Sequence, residues 1–115
     1  MIILEINFPP SVNTYWGFQG SRRFLTKKAQ EFKQSTWLAW HKSGQKRMGC
    51  ARLTVEFLLY PPDKKVRDID NCIKSTLDAL CQAGIFDDDG QIDCLLVKRM
   101  EQIKGGRAIV KINAL

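Results

Sequence analysis

The sequence predicts one small α+β domain spanning residues 1–115, with a mixed or largely antiparallel sheet, two main helices and the order β-α-β-α-β-β. Three observations lead there. Apolar residues alternate with a period of two near both ends and in the middle of the chain, two stretches between them repeat every three to four residues, and proline or glycine marks the joins. A chain of 115 residues that is 44% apolar is long enough for one core, and a small one.

Ile2 to Phe8 sets Ile2, Leu4, Ile6 and Phe8 against Ile3, Glu5 and Asn7, which predicts a strand. Pro9-Pro10 stops it, because proline supplies no ladder donor. Ser11 to Leu25 shows no period and is read as an irregular segment rich in aromatic, glycine and basic residues. Its Tyr15, Trp16, Arg22 and Arg23 have the chemistry that unpaired nucleic acid requires, rings to stack on bases and guanidinium groups to pair phosphates. The plainer reading is a surface loop whose rings tuck into the edge of the core.

Thr26 is an N-cap residue for a helix running to about Arg47, with Ala29, Phe32, Thr36, Ala39, Trp40 and Ser43 as its buried stripe. Gly49 breaks that pattern. Arg52 to Tyr60 then reads as a strand with Leu53, Val55, Phe57 and Leu59 on one face, halted by Pro61-Pro62. After a basic loop containing Lys64, Lys65 and Arg67, a second helix carries Ile73, Leu77, Leu80 and Cys81 inward and ends at Gly84. Gln91 to Met100 and Arg107 to Ile112 are the last strands, and Lys104-Gly105-Gly106 between them suggests a C-terminal hairpin.

Charge is distributed unevenly along this frame. Of twelve acidic residues, seven lie between Asp68 and Asp93, where Lys74 is the single base; the rest of the chain holds seventeen Lys and Arg against five acids. A net charge of +6 favours an anionic partner. A basic protein with one acidic island suits a hard divalent cation held against a polyanion, since Mg²⁺ takes one or two carboxylates and completes its shell with water and phosphate oxygens. Metal-assisted phosphodiester cleavage is the first functional expectation.

If Asp68 to Asp70 is extended, both carboxylates point to one side. Lys74, a turn further on, faces the same way; it is placed either for an ion pair with Asp78 or against a phosphate. Asp70 also suits a helix N-cap. Asp87-Asp88-Asp89 repel one another unless a cation neutralises them, and the spacing around Gly90 does not fit an EF-hand. Cys50, Cys72, Cys81 and Cys94 include no C-x-x-C pair and are read as small buried apolar residues, not zinc ligands or disulfides. No apolar run is long enough to span a bilayer, and the N-terminus lacks secretory-signal features, so a cytoplasmic protein with no membrane partner is expected.

The run R-D-I-D-N-x-x-K-x-x-x-D-A-L-x-x-A-G from Arg67, followed by D-D-D-G-Q, resembles RusA-type Holliday junction resolvases, as do the early F-P-P-S-V-N-x-Y and the late K-G-G-R. The resemblance spans nearly the whole chain. It implies a homodimeric endodeoxyribonuclease that nicks four-way DNA junctions symmetrically with Mg²⁺, Mn²⁺ substituting, in the cytoplasm of a bacterial or phage-infected cell. Position by position it implies Asp68, Asp70 and Asp89 as catalytic metal ligands, Asp88 as the alternative ligand, and Lys74 as the essential cation. Arg67 matches a basic position near DNA, and the family's basic run before the first aspartate is thinned here to Lys64, Lys65 and Arg67. The family commonly has two adjacent aspartates where this chain has three, and ungapped spacing selects Asp89. The rival readings are a non-catalytic nucleic-acid-binding module and a nuclease acting on flaps or other branched DNA.

Overall fold

The computed structural model describes all residues from Met1 to Leu115. Its order is β1 (Ile2–Ile6), α1 (Val12–Tyr15), β2 (Trp16–Gln19), β3 (Arg22–Leu25), α2 (Lys27–Ser43), β4 (Leu53–Tyr60), α3 (Ile73–Gln82), a 3-10 turn (Asp89–Gln91), β5 (Ile92–Arg99) and β6 (Arg107–Ala114). The main sheet runs β1-β6-β4-β5, and β2 with β3 makes a separate two-stranded sheet. β4 is parallel to β5 and antiparallel to β6, which in turn is antiparallel to β1. The α+β class and the mixed sheet agree with the sequence reading.

Burial follows the alternation. Ile2, Leu4 and Ile6 of β1, Leu53, Val55, Phe57 and Leu59 of β4, and Ala108, Val110 and Ile112 of β6 are all at most 4% exposed and face the same layer. Phe32 and Trp40 of α2 and Ile73, Leu77 and Leu80 of α3 close that layer from one side. The opposite face of the sheet is mixed: Glu56 lies between Lys98 and Lys111 and Glu5 pairs with Arg107, beside the exposed Ile3 and Leu96. Helices therefore cover one face only.

Four expectations are corrected. The last two strands do not form a hairpin, because β4 lies between them. β4 is the strand with the fullest apolar face, so pairing on both of its edges buries more than a direct β5–β6 contact, and residues 100–106 pass over its end, where Ile103 N–H donates to the Pro61 carbonyl. The first long helix stops at Ser43 rather than Arg47, since Gly44 takes a left-handed φ of 66° and closes it. Ser11 to Leu25 is ordered into a short helix and a hairpin that turns at Gly20, φ 64°. Its short strands hold too little alternation to register as a period. Of the cysteines only Cys72 is buried; Cys81 is half-buried and Cys50 and Cys94 are exposed, all four free.

Thr26 does cap α2, accepting the Ala29 N–H and donating to the Thr14 carbonyl at 2.6 Å, so one side chain starts the helix and anchors the hairpin. Phe57 sits at the centre of the layer, wholly buried. Phe57→Ala should cost about 3–5 kcal/mol through lost burial and the cavity left behind, read as a lower urea midpoint with an unchanged slope.

Candidate active site

Parallel strands cannot be joined by a tight turn, so the β4–β5 connection has to travel, and it does so through α3. Asp68, Asp70 and the run Asp87 to Asp89 sit in the two connections that flank this helix, with Asp78 on the helix itself and Asp93 at the start of β5. Asp68 to Asn71 forms a turn in which Asn71 N–H donates to the Asp68 carbonyl, and Ile73 N–H donates to that of Asp70. The Asn71 carbonyl accepts Val12 N–H at 2.7 Å, and Ser75 Oγ reaches the Pro10 carbonyl. The N-terminal loop thus braces the acidic turn against α3.

Two local expectations change here. Residues 68–70 are turned rather than extended, because the chain must reverse from β4 into α3. Asp70 is not the helix N-cap; that position is Cys72, with no side-chain capping bond. Asp70 is left exposed with its carboxylate uncommitted, and so is Asp68.

The other acids of the segment are all engaged. Lys74 Nζ lies 3.2 Å from Asp78 and 2.8 Å from Asp89, so the segment returning from α3 folds back along the helix. Hydrogen bonds from Lys74 to Asp89 and then to Asp78 raise the lysine pKa and keep the ammonium charged. Asp87 pairs with Arg47 at 2.7 Å and Asp93 with Arg52. Asp88 accepts the Gly90 N–H and closes a capping box with Gln91. Among the seven, only Asp68 and Asp70 have neither an ion pair nor a capping bond.

Gln91 is the residue whose role the sequence reading missed. It is 7% exposed. Its Oε1 accepts the N–H groups of Asp87 and Asp88, while its Nε2 donates to the carbonyls of Gly49 and Ala51. One amide side chain therefore satisfies four backbone groups and fixes the aspartate run against the loop before β4. The signal was present in the sequence, since a glutamine three residues after an N-capping aspartate is a capping box.

The basic candidates divide. Arg67 is committed, with its guanidinium 2.7 Å from Asp63 and 5.6 Å from the centre of the Phe8 ring, and its carbonyl accepts a bond from Arg99. The Arg67 bond and then the Lys65 N–H pull the Asp63 pKa from its usual 3.8 to about 2. Lys64 and Lys65 border a cleft of about 400 Å³ that reaches Asp68 and has Phe8, Leu59 and Pro61 among its walls. Arg22 and Arg23 are exposed on β3, and Arg23 lies 3.8 Å over the Trp16 ring. Tyr15 is a correction: at 1% exposure it belongs to the core and cannot stack on a base. Burial and the nearby Asp78 charge push its phenol up to about 12. Phe18 and Phe24, 69% and 43% exposed, are the rings that the hairpin shows to solvent.

The donors are hard oxygen ligands, which fits a hard divalent cation rather than a soft one. No group of three Asp, Glu, His or Cys side chains converges within this single chain. Mg²⁺ does not require one, because it keeps several waters and takes substrate oxygens.

A family profile described as "Endodeoxyribonuclease RusA" matches residues 7–113. The chain is 34% identical over 108 residues to the crossover junction endodeoxyribonuclease rusA of Enterobacteria phage HK97, covering 94% of this chain and 90% of that protein. It is 28% identical over 113 residues to proteins of the same name from Enterobacteria phage 82 and Escherichia coli K12, covering 97% of this chain and 93% of each of them. No helix is long and apolar enough to cross a membrane.

Two predictions test this geometry. Gln91→Ala strands four backbone groups and should lower stability by about 1–3 kcal/mol, seen in urea unfolding, with amide exchange rising first at Asp87 and Asp88. Asp63 has a folded pKa below its unfolded one, so its contribution is complete above about pH 4 and is lost as pH falls through about 2. A carboxyl NMR titration should give that low midpoint, and Arg67→Ala should return it toward the ordinary value.

Proposed function

The chain belongs to the RusA endodeoxyribonuclease family, and from that premise we propose that it resolves four-way DNA junctions, cutting phosphodiester bonds with the acidic turns around α3. The observation that carries the reading is the state of Asp68 and Asp70. In a segment where every other carboxylate is neutralised or capped, these two are free, exposed, and held on a turn that is tied to the core. Free anionic oxygen fixed by a braced backbone is what a metal-ligand pair requires.

In this mechanism Asp68, Asp70 and Asp89 would hold Mg²⁺, with Asp88 the alternative to Asp89. When bound, the ion supplies Lewis acidity and lowers the pKa of a bound water. Lys74 would stand against the phosphate. Its ammonium now compensates Asp89 and Asp78; when substrate and cation enter, the same charge is available to the phosphate oxygens, where negative charge grows as water adds to phosphorus and the leaving oxygen departs with a proton. Gln91 fixes the backbone of Asp87 and Asp88, and Asp88 holds the turn that presents Asp89. Both keep the carboxylates from rearranging during the reaction.

The partner is branched DNA. Lys64, Lys65, Arg22 and Arg23 would meet its phosphates, and Trp16 beside Arg23 would meet its sugar-phosphate edge. Arg67 acts through Asp63 and Phe8 on the shape of the loop, and reaches DNA itself only if that ion pair opens. Resolution takes two related cuts, and each protomer has one site, so a two-fold homodimer is proposed as the acting species. A bacterial or phage-infected cytoplasm is the proposed setting, in keeping with the phage and Escherichia coli relatives.

Asp70→Asn and wild type should bind a synthetic four-way junction alike, whereas efficient paired symmetric nicking should need both the wild-type carboxylate and Mg²⁺. The variant should be slower by about 10²–10³-fold, and EDTA should abolish cutting. Junction binding by both proteins without nicks, with Mn²⁺ also tried, would overturn the assignment in favour of a binding module; faster cutting of flaps than of junctions would move the substrate.

A further inference from the structure

The hydroxyl of Tyr15 is buried without a hydrogen-bond partner, and its side chain is 1% exposed. One other buried side-chain atom is in the same state, Thr36 Oγ1. Thr36 lies within α2, and a helical threonine can bond the carbonyl four residues back by rotating about one bond. A phenol has no such local remedy. Buried hydroxyls are nearly always paired, because an unpaired one has given up water without replacement.

The ring is not free to seek a partner. Tyr15 ends α1, which packs against both α2 and α3. Its carbonyl accepts the Thr26 N–H at 3.1 Å, the Thr26 hydroxyl holds the Thr14 carbonyl before it, and the Trp16 ring stands edge-on at 5.6 Å. A partner must therefore come to the hydroxyl. On α3 the Asp78 carboxylate is near enough for its charge to add to burial in raising the phenol pKa. The same carboxylate acts on Lys33 of α2, whose pKa burial lowers and Asp78 raises. Lys33 is half-buried, and its ammonium lies 5.9 Å from the centre of the Tyr15 ring. Asp78 thus has Lys74 on its own helix, and Tyr15 and Lys33 on the elements packed beside it.

We propose that the Tyr15 hydroxyl is the alternative partner of Asp78, donating to its carboxylate when Lys74 turns to the scissile phosphate. The inference rests on the phosphate-binding role of Lys74 in the proposed reaction and accounts for the release of that ammonium. In the resting protein Lys74 is divided between Asp78 at 3.2 Å and Asp89 at 2.8 Å. Once Asp89 serves a cation, Asp78 holds the lysine alone. An uncompensated Asp78 would then set its negative charge beside the phosphate that Lys74 has to reach, which is unfavourable at short range. A hydrogen bond from Tyr15, with the Lys33 charge close by, offsets this. The Asp78 side chain is 34% exposed and its one ion pair is with Lys74, so it is the member of the set able to turn. The phenol keeps its place and its proton. Tyr15 is a positioning residue, acting through Asp78 and Lys74 without touching the DNA.

The test compares Tyr15→Phe in two backgrounds, wild type and Lys74→Met, by urea unfolding. Tyr15→Phe keeps the ring and its burial, and Lys74 is exposed enough for methionine to be tolerated. In the wild type, where Asp78 has Lys74, removing an unpaired hydroxyl should leave the urea midpoint unchanged or slightly higher. In Lys74→Met, where Asp78 has lost its lysine, Tyr15→Phe should lower the midpoint, and adding Asp78→Ala should abolish that difference. On a four-way junction with Mg²⁺, Tyr15→Phe should reduce kcat by roughly ten- to a hundredfold, the worth of one hydrogen bond to a charged group, with KM unchanged. A midpoint that Tyr15→Phe leaves unchanged in both backgrounds, or lowers equally in both, overturns the proposal, as does a difference that survives Asp78→Ala. An active wild type whose kcat is unaffected by Tyr15→Phe overturns the part played in catalysis. Wild type that cuts no junction overturns the resolvase reading, and the urea comparison, made without DNA or metal, still decides the bond between Tyr15 and Asp78.

Discussion

The parallel pairing of β4 with β5 is the constraint from which the site follows. Antiparallel neighbours can be joined by two residues, but parallel ones need a crossover, and α3 is that crossover. It is held by Leu77 and Leu80 against the sheet, and its apolar face fixes which side remains for solvent. Lys74 and Asp78 lie on the solvent side, and the connections on either side of the helix, residues 68–72 and 83–91, are delivered to the same surface.

Electrostatics within the island is graded. Asp87, Asp89 and Asp93 each have a cationic partner, so the repulsion of consecutive aspartates is largely settled within the protein. Asp68 and Asp70 are left outstanding. Their nearest constraint is backbone: the turn bonds at Asn71 and Ile73 and the brace to Val12. A rigid main chain under unpaired carboxylates is the arrangement of a preorganised ligand set, because the ordering cost falls in folding rather than at binding. Around it the charge reverses, with Lys64 and Lys65 at the cleft and Arg22 and Arg23 on the hairpin, a basic surround that would draw phosphate toward the acidic turn in the proposed reaction.

Much of the site was legible because its chemistry is local. Asp68, Asp70, Lys74 and the aspartate run stand close together in the chain, and the helix between them has a strong apolar stripe. What was not legible depended on distance in sequence. Gln91 bonds the Gly49 and Ala51 carbonyls some forty residues away, and nothing in the composition around either segment announces that meeting. Tyr15 looked like a stacking residue because aromatic side chains beside arginine read the same way in a core and on a surface. Only packing against its neighbours separates the two.

The sequence by itself determined the class of fold, the faces of β1 and β4, the start of α2 at Thr26, and the list of groups able to hold a hard cation against phosphate. These follow from periodicity, capping and side-chain chemistry, which act over a few residues. Tertiary structure alone decided that β4 separates β5 from β6, that Lys74 meets Asp89, and that Arg67 is spent on Asp63. Each is a choice among partners that are equally acceptable locally, and it is settled by which arrangement buries the most apolar surface while leaving the fewest backbone groups unpaired.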